Sequence, residues 1–224
     1  MRTAPYFLLL MLILAACGAA EAMHDADDIE TGDTIQTLDF EAADSFETGD
    51  FPESNASLTL ENGVYRVTQR GNHTAYIWGQ GGESVQDVQI DVEAESVSEY
   101  SNNLYGVMCR VNEDGAGYTF LISNDGFGAI ARTDGRSLTF IFDWTQNDAI
   151  NKGAASNSIR AVCSGEYLAL YVNDKFVADV EDDRYSDAGQ VGLLAGILVE
   201  TSNDEGEAVV EFDNLILKEV TIRD

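Results

Sequence analysis

The chain has 224 residues, enough for one domain of ordinary size, with 45% hydrophobic and 9% aromatic residues. Twelve Lys and Arg stand against forty Asp and Glu, a formal net charge of −28. Such a field repels nucleic acid and anionic lipid headgroups, and it favours cations, basic proteins or neutral ligands. An acidic surface of this kind also suits solubility in a salty medium, where it is screened.

The chain opens with Met1-Arg2 and then runs from Tyr6 to Leu14 without a charge or a polar amide. This pattern is that of a secretory signal peptide, and it is too short for a comfortable membrane span. Leu14-Ala15-Ala16-Cys17 closes the run. It resembles the bacterial lipobox at all four positions, which implies cleavage after residue 16 and acylation of Cys17. Several acyl chains would hold the protein on the extracytoplasmic side of a bacterial membrane. Residues 17–36 then show little apolar periodicity. Residues 21–50 hold eleven Asp or Glu and no Lys or Arg, so 17–36 is expected to be an acidic, flexible tether.

Strand signals fill residues 37–224. Residues 58–60 and 64–67 flank Glu61-Asn62-Gly63, a hairpin turn. Residues 88–95 alternate strictly between apolar and polar, as a half-buried strand does, and are expected at a sheet edge. Residues 118–123 and 127–132 flank Asn124-Asp125-Gly126. Residues 159–163 and 167–172 flank Ser164-Gly165-Glu166, Asn173-Asp174 turns again, and 209–217 form the last strand. Turns every 8–12 residues mark an all-β, two-sheet antiparallel sandwich of about 12–14 strands. One short helical turn is expected within 145–152.

Particular residues then carry a resemblance. Tyr105-Gly106-Val107, Cys109-Arg110, Tyr118, Ile122-Ser123-Asn124-Asp125-Gly126, Trp144, Asn157-Ser158-Ile159-Arg160, Leu170-Tyr171-Val172-Asn173, Gly189-Gln190-Val191-Gly192-Leu193 and Phe212-Asp213-Asn214 follow in order. The series resembles the concanavalin A-like jelly rolls over roughly residues 37–220. It is similar above all to laminin-G-like and 3-keto-disaccharide hydrolase-type domains. The resemblance implies a jelly roll. Calcium often pins the first and last strands of such domains, and Asp39, Glu41 and Asp213 occupy those places here.

Three cysteines divide between two roles. With Cys17 taken by the anchor, an exported protein is left with Cys109 and Cys163, both mid-strand and facing inward. They form either a disulfide or two buried thiols. His24 and His73 stand alone, with no metal-ligand spacing.

Family-16 glycoside hydrolases carry Glu-x-Asp-x-Glu on one strand, because nucleophile and acid/base must share a face. The nearest match is Gln89-Ile90-Asp91-Val92-Glu93, in which an amide replaces the first carboxylate. Asp91 and Glu93 are therefore the weak candidates for catalysis, and no catalytic residue is assigned. The Asn-Ser-Gly and Tyr-Glu-x-Gln signatures of the keto-disaccharide enzymes are missing too. Sugar-binding sandwiches stack aromatic rings on pyranoses and use amides for the hydroxyls. Trp78, Tyr100, Tyr105 and Trp144, near Asn102, Asn103 and Asn147, are the expected platform. The sequence thus points to a membrane-anchored lipoprotein whose domain binds a glycan or a surface protein. A carbohydrate-active hydrolase and a purely structural envelope protein are the alternatives.

Overall fold

The computed structural model describes residues 22–23, 28–41, 46–199 and 205–223. The lipobox with Cys17, and His24, lie outside the described residues. Among the described residues fifteen strands follow one another. The first eight are β1 (Ile29–Leu38), β2 (Gly49–Phe51), β3 (Ala56–Glu61), β4 (Val64–Gly71), β5 (Ala75–Val85), β6 (Val88–Ser96), β7 (Asn103–Val111) and β8 (Ala116–Ile122). Then come β9 (Phe127–Asp134), β10 (Leu138–Gln146), β11 (Ser156–Ser164), β12 (Tyr167–Val172), β13 (Lys175–Glu181), β14 (Gly189–Ile197) and β15 (Gly206–Ile222).

They form two antiparallel sheets. The larger runs β13-β12-β11-β6-β15-β4-β3-β2, with β1 also paired to β15; the smaller runs β10-β9-β8-β7-β14-β5. β15 is 17 residues long and serves three neighbours. Its first half pairs with β4, its middle with β6 and its last half with β1. Turn chemistry sets the hairpins. Asn62 and Gly63 both take positive φ, 54° and 80°, between β3 and β4, while Asn173 and Asp174 at 52° and 60° turn β12 into β13. Positive φ at both central positions gives a turn whose twist matches that of the flanking strands.

Alternation then builds the core. Ile90, Val92 and Ala94 of β6 point inward with Val107, Cys109, Phe120, Ile159, Leu193 and Phe212, all essentially inaccessible. Cys109 on β7 and Cys163 on β11 are joined by a disulfide, with Cα atoms 6.8 Å apart. The bridge links the two layers of the sandwich. The disulfide is therefore the arrangement adopted, rather than two thiols.

Four local expectations are corrected. The tether does not extend to residue 36, because β1 starts at Ile29 and lies against β15. The alternating residues 88–95 lie on β6, an interior strand between β11 and β15 and not an edge. Thr145 and Gln146 finish β10, and Asn147 to Ile150 is a hydrogen-bonded turn closed at 3.2 Å, not a helix. Fifteen strands exceed the expected number because β1 and the three-residue β2 carry no apolar alternation.

The smaller sheet also has apolar residues on its outer side. Leu104, Met108, Leu121 and Leu194 form a second, thinner core there, with Tyr76, Trp78, Leu138 and Trp144 packed over it. The Tyr76 hydroxyl lies 3.0 Å from that of Thr133 on β9, and the Trp78 ring leaves no room for a side chain at Gly115. The outer face of the sheet is thus filled by its own aromatics.

Candidate functional site

A cavity of about 200 Å³ lies beside the strand ends of the smaller sheet. Asn103 opens β7 and Asn102 precedes it, Leu198 follows β14, and Trp144 lies on β10. The turn between β8 and β9 gives Ser123 and Asp125, and the first residue of β9 gives Phe127.

These pieces are fixed by hydrogen bonds within the chain. The Leu198 amide donates to the Asn102 carbonyl at 2.8 Å, and the Tyr100 hydroxyl donates to the Leu198 carbonyl at 2.8 Å. The Asn124 amide donates to Asn103 Oδ1 at 2.8 Å. Asn124 Nδ2 donates to the carbonyls of Ser98 and Tyr100 at 3.0 and 3.1 Å. The segment before β7 is thereby tied to the β8–β9 turn. That turn is closed by Gly126, whose φ of 91° suits glycine, and Ser123 Oγ donates to the Asp125 carboxylate. The turn and the first residue of β9 therefore contribute a hydroxyl, a carboxylate and a ring to the cavity.

Of the expected platform, Asn102, Asn103 and Trp144 come together. Tyr105 does not join them, because it points into the core between the sheets. It is fully buried, its hydroxyl accepts from Asn157 Nδ2 at 3.1 Å, and burial pushes the phenol up to about 12. Trp78 lies apart as well. It borders a different hollow of about 430 Å³ with Phe51, Glu47 and Asp114. Asn147 is spent on its own turn, where its Oδ1 accepts from the Ala149 amide at 2.9 Å. Two larger hollows, about 520 and 530 Å³, contain neither tryptophan nor tyrosine among the described residues.

Asp91 and Glu93 project from the outer face of the larger sheet, away from the cavity. The Asp91 carboxylate accepts from Arg160 at 2.7 Å, from Lys218 at 2.9 Å and from Gln89 at 2.7 Å. Burial alone would raise its pKa. The hydrogen bonds from Lys218, Gln89 and Arg160, with the Arg160 charge, outweigh burial and hold the carboxyl below the usual range. A carboxylate so engaged suits an ion-pair hub and not proton transfer near neutrality. Glu93 is exposed.

Among the described residues no group of three or more His, Cys, Asp or Glu is arranged to hold a metal ion. Of the residues read for calcium, Asp39 Oδ1 accepts from the Glu41 amide, and Asp213 Oδ1 from the Asn214 amide.

No family model matches the sequence, and no curated protein matches it. Solved structures do match the fold. The carbohydrate-binding module CBM66 from Bacillus subtilis superposes with a TM-score of 0.60 at 15% identity, covering 78% of this chain and 96% of that one. A prokaryotic β-1,3-1,4-glucanase (lichenase) from a mouse hindgut metagenome gives 0.60 at 9% identity, covering 82% and 97%. A Bacillus subtilis protein of unknown function with a galectin-like fold gives 0.58 at 8% identity, covering 88% and 100%. The chain has the concanavalin A-like jelly-roll fold. At such identities the likeness extends to the arrangement of strands. Within this jelly roll the cavity beside Trp144 is where an aromatic ring, two amides, a hydroxyl and a carboxylate converge.

Proposed function

We propose that the protein is a non-catalytic glycan-binding module held at a bacterial membrane surface by lipid on Cys17. The convergence of Trp144, Asn102, Asn103 and Asp125 on one small cavity carries this reading. Indole offers an apolar face for the C–H side of a sugar ring. Amides and a carboxylate offer donors and acceptors for its hydroxyls. The fold is shared with a carbohydrate-binding module and with a glucanase, which supports a carbohydrate ligand. Binding is favoured over hydrolysis because Asp91 is engaged by Arg160 and Lys218, and Gln89 stands where a nucleophile would be needed.

The anchor belongs to the same reading. Cys17 at the end of an uncharged run supplies the lipid attachment, and the domain then lies on the extracytoplasmic side. With β1 beginning at Ile29, the chain between the lipidated cysteine and the sheet spans at most roughly 40 Å. Labelled palmitate should enter the native chain in a bacterial host and be absent from Cys17→Ala; equal labelling of both would refute the anchor. A glycan array probed with the Cys17→Ala chain should retain a defined set of sugars. Trp144→Ala should abolish that retention, and silence across the array would remove the glycan reading.

A further inference from the structure

One polar atom at the cavity has nothing to hold. Asn103 is fully buried; its Oδ1 is occupied by the Asn124 amide, and its Nδ2 has no hydrogen-bond partner among the described residues. A buried amide donor without an acceptor is an uncompensated desolvation, and a bound acceptor removes it. Resting on the glycan reading of this cavity, we infer that it takes a single uncharged sugar ring, one hydroxyl oxygen of which accepts from Asn103 Nδ2.

Size sets the first part. Pockets that enclose a drug-sized ligand run about 300–1,000 Å³, whereas this one holds about 200 Å³. One ring fits, and the rest of a polymer stays in solvent. Charge sets the second part. Among the described residues the cavity lining holds the Asp125 carboxylate and no Lys or Arg, the Lys152 side chain passing over Gly126 outside that lining, while the chain carries a formal −28. An anionic acceptor, such as a uronate or a sulfate ester, would meet repulsion there. A hydroxyl is neutral, accepts from Asn103, and leaves neighbouring hydroxyls free to donate to Asp125. Trp144 and Phe127 supply the apolar surface for the ring's C–H groups.

Calorimetric titration of the Cys17→Ala chain tests this, with glucose, galactose, mannose and fructose, their oligomers up to six residues, and glucuronic and galacturonic acids. For the sugar that binds, affinity should change less than about threefold from one residue to six. The matching uronic acid should bind at least about tenfold more weakly. Trp144→Ala and Asn103→Ala should each weaken binding about tenfold or more. Asn103→Ala also removes the acceptor of the Asn124 amide, so Asn103→Asp, which keeps an oxygen there and replaces the donor, accompanies it, and thermal melts report which variants stay folded. Affinity rising with every added residue would overturn single-ring recognition while leaving glycan binding in place. Equal or tighter binding of the uronic acid would overturn the preference for uncharged sugars. Undiminished affinity in a folded Asn103 variant would overturn the hydroxyl placement. No binding by any sugar of the panel would reject the glycan reading beneath it.

Discussion

Arg110 shows how a charge is accommodated in the interior. Its side chain is 1% exposed. Its Nε donates to the Gln86 carbonyl at 2.8 Å, Nη1 to the Tyr185 carbonyl at 2.9 Å, and Nη2 to the Gly165 carbonyl and Asp87 at 2.8 and 3.1 Å. The guanidinium fork is matched to three separate loops, and its carbon lies 5.9 Å from the Tyr118 ring centroid. Lysine keeps the charge but cannot reach three carbonyls from one point. Arg110→Lys should therefore lose about 2–4 kcal/mol in urea unfolding. Asp91 makes a second prediction, through pH. Its pKa in the folded protein lies below its unfolded value, so its contribution is complete above the unfolded pKa of about 3.9 and fades as pH falls through the folded one. Between pH 5 and pH 2 the native protein should lose more stability than Asp91→Asn, read from the shift in denaturation midpoint. Part of this was legible from parity. Tyr105, Val107 and Cys109 alternate in step, so an inward Cys109 already places Tyr105 in the core. The role of Asp125 was hidden, because Asn-Asp-Gly reads as a turn whether or not its carboxylate faces a cavity.

β1 is the element that composition disguises. Ile29–Leu38 reads IETGDTIQTL, with six exposed positions, two register shifts and only Leu38 fully buried. Its place in the sheet comes from backbone pairing with β15 and not from an apolar face, so hydrophobic periodicity carried no trace of it. Hydrogen exchange should therefore find the β1 amides protected together with those of 215–222. Full exchange of 29–38 at the rate of an unstructured peptide would contradict that pairing. The hairpins were legible because their chemistry is local: Asn62-Gly63 and Asn173-Asp174 need only their own positive φ. The position of β6 was not legible, since alternation reports which side faces inward and says nothing about how many neighbours lie beside a strand. For the same reason Trp78 and Trp144, alike in sequence context, border different hollows: the order of the strands separates them.

At the scale of the molecule, cross-linking and charge act in opposite senses. The Cys109–Cys163 bridge closes 54 residues and ties one layer to the other. Replacing both cysteines by serine should lower stability by about 3–4 kcal/mol, measured by denaturant unfolding under non-reducing conditions. The pairing was readable because three cysteines minus the lipobox residue leave two, both in step with inward residues. The formal charge of −28 works against compactness. The melting temperature should rise as salt is raised from about 0.01 to 0.15 M, where the screening length falls from about 30 to 8 Å. A flat or falling response would show that the carboxylates are already neutralised in the fold.

The strand order carries one more consequence, in time. β15 joins β4, β6 and β1 into one layer, yet it comes after every other described strand in synthesis. Until residues 206–222 have left the ribosome, the larger layer is three pieces with no seam: β13-β12-β11-β6, β4-β3-β2 and β1. A nascent chain in that condition stays pliable, and the knitting together waits for its latest segment.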